Sequence, residues 1–260
     1  MVRVSKVAAA IATALAVAIT ALPASGRAGL PAGALPSIVL VHGAFADGSS
    51  WSEVIKRLQR KGYRVTAVQN PLTSLADDVA ATARVLARQT GPVLLVGHSW
   101  AGAVITQAGH AENVIGLVYL SALVPDSNES VADLLARLES PMQGLQPDAD
   151  GRVWLDDCAT YRKVMAADVP LAKVCALAAT QQPMTASAFT ERLSHAAWRS
   201  KPSWYLVTSH DQALPARVQR KIADQIGAHV QSVDSSHMSL ISHPNVVADF
   251  IDSAARATKQ

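Results

Sequence analysis

One short turn constrains the fold of this chain more than any other segment. The apolar run at residues 93–96 predicts a buried strand, and it leads directly into the sequence GHSWAG at positions 97–102. A strand that turns sharply into a helix at a serine strains the backbone there, so the residues two places before and after must be small. Gly97 and Ala101 meet that requirement. The turn predicts a Ser99 hydroxyl that projects above a sheet, beside a helix N terminus that favours negative charge. The alternative is a turn in which Ser99 only caps the helix.

Predicted strands and helices alternate on both sides of this turn, which is typical of a parallel sheet built from βαβ units. Strands are expected at residues 38–41, 64–68, 93–96, 114–123, 204–207 and 230–233, and helices at residues 50–62, 74–89, 215–226 and from Pro244 onward. The alternation stops at Pro125, and the following pattern is mostly helical. It includes one apolar stripe (Val131, Leu134, Leu135 and Leu138) and a helix expected over residues 185–198. The chain is therefore predicted to have a core at 36–125 and 201–257 and a helical cap at 126–200 that covers the active site.

Size and charge narrow the class of protein. The chain has 260 residues, 50% of them hydrophobic, which is enough for one domain with a large core and a subdomain. The net charge of +3 comes without a basic cluster and gives no indication of a nucleic-acid partner. The sequence does not indicate an oligomeric state.

Residues 1–28 predict a signal peptide. Two basic residues precede an uncharged apolar run, and a proline and small residues follow it, so cleavage is expected near Gly26 or Ala28. The run is short for a membrane span of about 20 residues. An uncleaved anchor and an apolar N-terminal helix are the alternatives. The mature protein is expected to be secreted or periplasmic, with no membrane span after cleavage.

The chain has two cysteines, Cys158 and Cys175, and predicted export affects whether they pair. Two cysteines close in sequence in an exported protein predict a disulfide, and the alternative is a pair of buried free thiols. Neither cysteine follows a glycine-containing turn of the kind that frames a nucleophile.

A serine hydroxyl is a weak nucleophile and needs a base that is oriented by an acid. On a sheet of this kind the chain order is serine, acid, histidine. Asp211 follows the strand at 204–207, and His237 follows the next strand. Asp126 is the alternative acid. His243 is the alternative base, although its place directly before Pro244 suits helix capping better.

The developing oxyanion needs two backbone N–H donors. Trp100, directly after the nucleophile, is one candidate, and Ala44 in the loop after the first strand is the other, ahead of Phe45. Phe45 and Trp100 are also expected to form walls of the substrate pocket, with ordinary core packing as the alternative. Leu135 and Met238 complete the predicted pocket. No His or Cys spacing suggests a metal site, and no cofactor is expected.

Over about residues 36–256 the chain resembles the α/β-hydrolase fold superfamily. Three motifs carry the resemblance: VHGA at 41–44, GHSWAG at 97–102 and SHM at 236–238. Within the superfamily they resemble the branch of plant methylesterases and hydroxynitrile lyases and related bacterial esterases. The resemblance implies a mostly parallel sheet flanked by helices, with a helical cap inserted after the sixth strand.

Two positions distinguish the activities of that branch. The lyases carry threonine after the first-loop histidine and lysine after the catalytic histidine. Here those places hold Gly43 and Met238, as in the esterase members. The turn at Trp100 and Ala101 departs from the usual form of the branch.

These observations predict a secreted serine hydrolase that cleaves small to medium apolar carboxylic esters. Ser99, His237 and Asp211 would act through an acyl-enzyme, and the partner would be a small-molecule ester. Lactones and thioesters suit the same residues. The alternatives are a hydroxynitrile lyase-like C–C lyase in the same pocket and a non-catalytic ligand-binding protein of the same fold.

Overall fold

A computed structural model describes residues 35–140 and 146–258, so the signal-peptide prediction for residues 1–28 lies outside the described residues. Eight strands occur in this part of the chain: β1 (Ser37–Val41), β2 (Val65–Val68), β3 (Val93–His98), β4 (Val114–Leu120), β5 (Arg152–Val153), β6 (Met184–Thr185), β7 (Ser203–Thr208) and β8 (His229–Val233). Six of them form one sheet in the order β2-β1-β3-β4-β7-β8. Every neighbouring pair is parallel, which confirms the predicted sheet.

Burial explains why the central strands are continuous apolar runs. All residues of β1, β3 and β7 are buried, because helices cover the sheet. β8 is an edge strand, and four of its five residues are exposed. The strand predicted at 114–123 ends earlier, at Leu120, because the chain turns at Ser121 with φ of 42°.

Nine helices occur within the described residues: α1 (Ser52–Arg60), α2 (Leu75–Ala87), α3 (Ala101–Ala108), α4 (Val131–Arg137), α5 (Cys158–Val164), α6 (Leu171–Thr180), α7 (Ala216–Gln225), α8 (Ser239–Ser242) and α9 (Pro244–Ala257). α1 packs against α9, and α2 packs against α3. The Ser74 hydroxyl caps α2 by accepting the Asp77 N–H, and proline begins α9. Across residues 35–140 and 146–258, no helix combines the length and the hydropathy that a membrane crossing requires.

The insertion between β4 and β7 holds α4, α5, α6 and the two-stranded antiparallel pair β5-β6. Four strands precede it among the described residues, and its place after a sixth strand stays a prediction from the resemblance. The helix predicted at 185–198 is wrong, since this segment forms only the 3-10 turns Ala186–Thr190 and Ala197–Arg199. Between those turns the Leu193 backbone bonds to Glu129 and Asn128, and this pairing holds the chain extended.

Candidate active site

The predicted sharp turn lies between β3 and α3. Ser99 has a φ of 54°, in the left-handed region that side chains other than glycine rarely adopt. A Cβ atom on Gly97 would lie 2.8 Å from the Ala101 carbonyl oxygen, so nothing larger than glycine fits there. The Gly102 N–H donates to the Ser99 carbonyl oxygen at 2.9 Å and closes the turn. The local sequence thus holds Ser99 in a strained conformation at the carboxyl end of the sheet.

His237 and Asp211 form a buried pair. The Nδ1 atom of His237 lies 2.6 Å from Oδ2 of Asp211, and the two side chains are 2% and 0% exposed. This bond places the proton on Nδ1 and leaves Nε2 as the acceptor. Nε2 is buried and has no hydrogen-bond partner among the described residues. Ser99 and His237 line the same cavity, so a serine, a histidine acceptor and an orienting carboxylate are brought together.

The Asp211 carboxylate is fixed by four further donors. The Thr208 hydroxyl and the Gln219 amide donate to Oδ2 at 2.7 and 2.9 Å. The backbone N–H groups of Ala213 and Leu214 donate to Oδ1 at 2.8 and 2.7 Å. These bonds satisfy a buried charge and define the direction of the oxygen that faces His237.

The alternative acid and base lie elsewhere. Asp126 forms an ion pair with Arg199, and this hydrogen-bonded guanidinium holds the pKa of Asp126 below its ordinary value. His243 is bonded through Nδ1 to the Ser242 hydroxyl at 2.9 Å and lies 3.5 Å from Asp168. Neither residue contacts the pair formed by His237 and Asp211.

The first-strand loop packs directly against the serine turn. A Cβ atom on Gly43 would lie 2.8 Å from the Ser99 Cβ, so only glycine permits this approach. Ala44, Phe45 and Trp100 line the cavity beside Ser99. The two residues predicted to supply oxyanion donors therefore line the same cavity as the serine.

The Trp100 side chain is anchored by a buried carboxylate. Its indole Nε1–H donates to Asp78 Oδ2 at 2.7 Å, and Asp78 Oδ1 accepts the Leu72 N–H at 2.9 Å. Burial raises the pKa of Asp78 to about 6, against the smaller opposing effect of these hydrogen bonds. Trp100 also meets Phe189 edge to face, with ring centroids 5.2 Å apart. The contact between Asp78 and Trp100 was not predicted from the sequence. The only local feature of Asp78 is its place as an acidic residue in the first turn of α2.

The cavity has a volume of about 560 Å³. Its apolar lining comes from the core and the insertion: Phe45, Leu123, Leu135, Leu155, Val164, Met165, Phe189 and Leu214. Phe45 and Leu135 both line this cavity, and their contact with a substrate stays a prediction. The prediction that Met238 lines the pocket is wrong, because its side chain is fully buried in the core and does not line the cavity. Arg217 and Glu139, both exposed, also line the cavity and were not predicted, because they come from elements far apart in sequence.

His98 is a second residue whose role sequence patterns did not reveal. Its Nε2 lies 3.0 Å from the His237 carbonyl oxygen, and the two rings are 4.7 Å apart. Burial holds the pKa of His98 well below its ordinary value, so the ring is neutral and donates from Nε2. The Ser121 hydroxyl donates to the same carbonyl at 3.3 Å. The backbone that carries His237 is thus held from the sheet side.

Cys158 and Cys175 are joined in a disulfide in the structure, with Cα atoms 4.7 Å apart. Whether they pair in exported protein stays a prediction. Across residues 35–140 and 146–258, no three His, Cys, Asp or Glu side chains are grouped as metal ligands.

Comparisons with known proteins identify the fold. The model of the alpha/beta hydrolase family matches residues 38–250. An alpha/beta hydrolase of Aspergillus novofumigatus is 28% identical over 244 residues, which are 85% of this chain and 96% of that protein. A pyrethroid hydrolase of Sphingobium wenxiniae is 27% identical over 248 residues, 84% of this chain and 88% of that protein. The crystal structure of polyneuridine aldehyde esterase is 19% identical and has a TM-score of 0.74, covering 85% of this chain and 100% of its own.

These matches confirm the predicted fold. The polyneuridine aldehyde esterase and the pyrethroid hydrolase among them are consistent with the resemblance to plant and bacterial esterases. At the level of the family they support a hydrolase that acts on esters. The individual roles of Ser99, Asp211 and His237 stay predictions.

Proposed function

Because the chain belongs to the alpha/beta hydrolase family, we propose that it is an exported serine hydrolase that cleaves apolar carboxylic esters of small to medium size. One observation carries the proposal. The His237 imidazole bonds through Nδ1 to the buried Asp211 carboxylate, and Nε2 is left without a partner in a cavity that Ser99 lines. This is the arrangement that converts a serine hydroxyl into a nucleophile.

The proposed reaction has two halves. Ser99 Oγ attacks the ester carbonyl while His237 Nε2 takes its proton, and the resulting oxyanion accepts hydrogen bonds from the Ala44 and Trp100 N–H groups. The C–O bond to the alcohol then breaks, and His237 returns the proton to the departing alcohol. In the second half, His237 takes a proton from water, whose oxygen attacks the acyl carbon. The bond from that carbon to Ser99 Oγ then breaks, His237 returns the proton to Oγ, and the acid is released. Asp211 keeps the Nδ1–H tautomer and stabilises the imidazolium in both halves.

The cavity supports an apolar substrate. Its volume of about 560 Å³ lies in the range typical of sites for small organic molecules, and most of its lining side chains are apolar. A relative from Sphingobium named as a pyrethroid hydrolase is consistent with a hydrophobic ester. Gly43 and Met238 occupy the two positions that distinguish esterases from lyases in the sequence resemblance, and this favours hydrolysis.

The decisive test is turnover of p-nitrophenyl butyrate by the purified mature protein and by Ser99→Ala. Alanine preserves the packing of the turn, so the variant is expected to fold while kcat falls about 10⁴-fold or more. Equal turnover by both proteins would contradict a serine nucleophile. A wild-type protein that binds esters without releasing p-nitrophenol would instead be a binding protein.

A further inference from the structure

The loop that carries His237 is bonded on its outer side to the insertion. The Met238 N–H donates to the Met165 carbonyl oxygen at 3.1 Å, and the Ser236 hydroxyl donates to the same oxygen at 3.2 Å. The Asp168 carboxylate accepts the Ser235 hydroxyl at 2.9 Å, the Ser236 N–H at 3.2 Å and the Ser236 hydroxyl. The residues on both sides of His237 are therefore held by one short segment, residues 165–168.

The same part of the insertion also bonds to the loop after the first strand. Tyr161 in α5 is fully buried, and its hydroxyl donates to the Phe45 carbonyl oxygen at 3.0 Å. Phe45 directly follows Ala44 and has a φ of 56°, a conformation that its neighbours must maintain. One hydrogen bond from the insertion thus fixes the loop that would supply an oxyanion donor.

These contacts come from a single hairpin, which consists of α5, α6 and the residues between them (residues 158–180). The disulfide joins Cys158 at the first residue of α5 to Cys175 in the middle of α6. The bridge encloses Tyr161, Met165 and Asp168. The hairpin residues that bond to the two loops therefore all lie within the segment that the disulfide closes.

We infer that this disulfide-closed hairpin is a positioning element of the active site, which holds the His237 loop and the Ala44–Phe45 loop in register through Asp168 and Tyr161. The inference rests on the proposed function, because it assigns the hairpin a role in that reaction. Asp168 and Tyr161 contact the loops and not the reacting atoms, so they are positioning residues. The hairpin does more than cover the cavity, since its polar groups bond to both the Phe45 loop and the His237 loop.

The test compares turnover by Asp168→Asn, Tyr161→Phe and the double variant Cys158→Ser/Cys175→Ser with the wild type. Misplacing a catalytic group by a fraction of an ångström to 1 Å costs about 10- to 100-fold, so kcat should fall by about that factor. KM should change much less, because the apolar lining is retained. Each variant is checked by circular dichroism and thermal unfolding, and Asp168→Asn decides the matter if the double variant does not fold.

Two matched controls separate positioning from general loss of stability. Asp148→Asn changes an aspartate of the insertion that bonds to the Trp154 indole at 2.7 Å. Tyr63→Phe removes a hydroxyl that donates to Asp252 on α9. Neither residue contacts the two loops, so both variants should retain the wild-type kcat.

A spectroscopic readout keeps the inference testable without turnover. In ¹⁵N-histidine-labelled protein, the His237 ring should show the Nδ1–H tautomer in the wild type and both controls. Asp168→Asn should shift or broaden that signal. Unchanged kcat and an unchanged His237 signal in Asp168→Asn would overturn the inference while leaving the proposed function intact. Persistent turnover by Ser99→Ala would overturn the proposed function, and the His237 signal would then decide the positioning role alone.

Discussion

Asp211 and Asp126 show that the surroundings of an aspartate, and not its residue type, determine whether it can orient a histidine. Both follow strands of the sheet, and sequence order alone permits either as the acid. The Asp211 side chain is buried and faces His237, whereas Asp126 bonds to Arg199 at the surface. A carboxylate that accepts a hydrogen bond from Nδ1 holds an imidazole in one tautomer, and Asp211 is the one of the two that faces an imidazole.

Replacing each aspartate by asparagine tests this assignment. Asp211→Asn should lower kcat by about 10⁴-fold, because the amide favours the wrong tautomer of His237. Asp126→Asn should leave kcat unchanged, since it removes one surface ion pair. Steady-state kinetics on both variants decide the matter, and the opposite ranking would move the acid to Asp126.

The raised pKa of Asp78 predicts that the stability of the folded protein depends on pH. Its side chain is fully buried, and burial raises its pKa from 3.8 to about 6. The folded protein therefore binds more protons than the unfolded chain between about pH 4 and pH 6, so this contribution to stability falls as the pH rises through that window.

The variant Asp78→Asn lacks this titration, and the other groups titrate alike in both proteins. The unfolding free energy of the wild type minus that of the variant should fall by up to about 3 kcal/mol from pH 4 to pH 7. Urea unfolding at several pH values measures it. A difference that stays constant or rises with pH would show that the Asp78 pKa is not raised.

At the scale of elements, helix α4 contributes one leucine to the packing of the insertion and another to the lining of the cavity. Leu134 and Leu135 are both buried, at 0% and 5% exposure, but only Leu135 lines the cavity. Two adjacent leucines on one helix thus form a matched pair for mutagenesis.

Leu135→Ala should shift the ratio of kcat/KM between short and long acyl chains by about 10-fold, the scale of one or two buried methylene groups. Leu134→Ala should destabilise the protein by about 2–5 kcal/mol without changing that ratio. A series of p-nitrophenyl esters from acetate to decanoate measures both variants. Equal loss on every ester in Leu135→Ala would mean that α4 does not determine specificity.

Features that depend on residues close together in sequence could be predicted from the sequence, whereas features that depend on distant contacts could not. The turn from β3 to α3 was predictable because its strain and its small residues are local to GHSWAG. Residues 185–198 were not, because pairing of Leu193 with Glu129 overrides their helical pattern. Met238 is not among the residues that line the cavity, because its backbone is bound to Met165 and its side chain is buried in the core. His98, Asp78 and Asp168 act through contacts distant in sequence, and no local pattern reveals those contacts.

At the scale of the whole molecule, export and the disulfide form one prediction. Expression with the native N terminus in an exporting host should yield a chain that lacks about the first 26 to 28 residues. Alkylation before reduction should leave Cys158 and Cys175 unmodified, because both are paired. Intact mass measures both features. A full-length chain would contradict the signal peptide, and two alkylated thiols would contradict the bridge.

The central claim is that Ser99 is the nucleophile of an esterase site. Its most direct test is mass spectrometry of the protein after reaction with a fluorophosphonate, which reacts covalently with activated serines. The account predicts one adduct, on the peptide that contains Ser99, with ester turnover lost in proportion to labelling and no adduct on Ser99→Ala. An adduct on another residue, or full labelling of Ser99 with turnover unchanged, would contradict it.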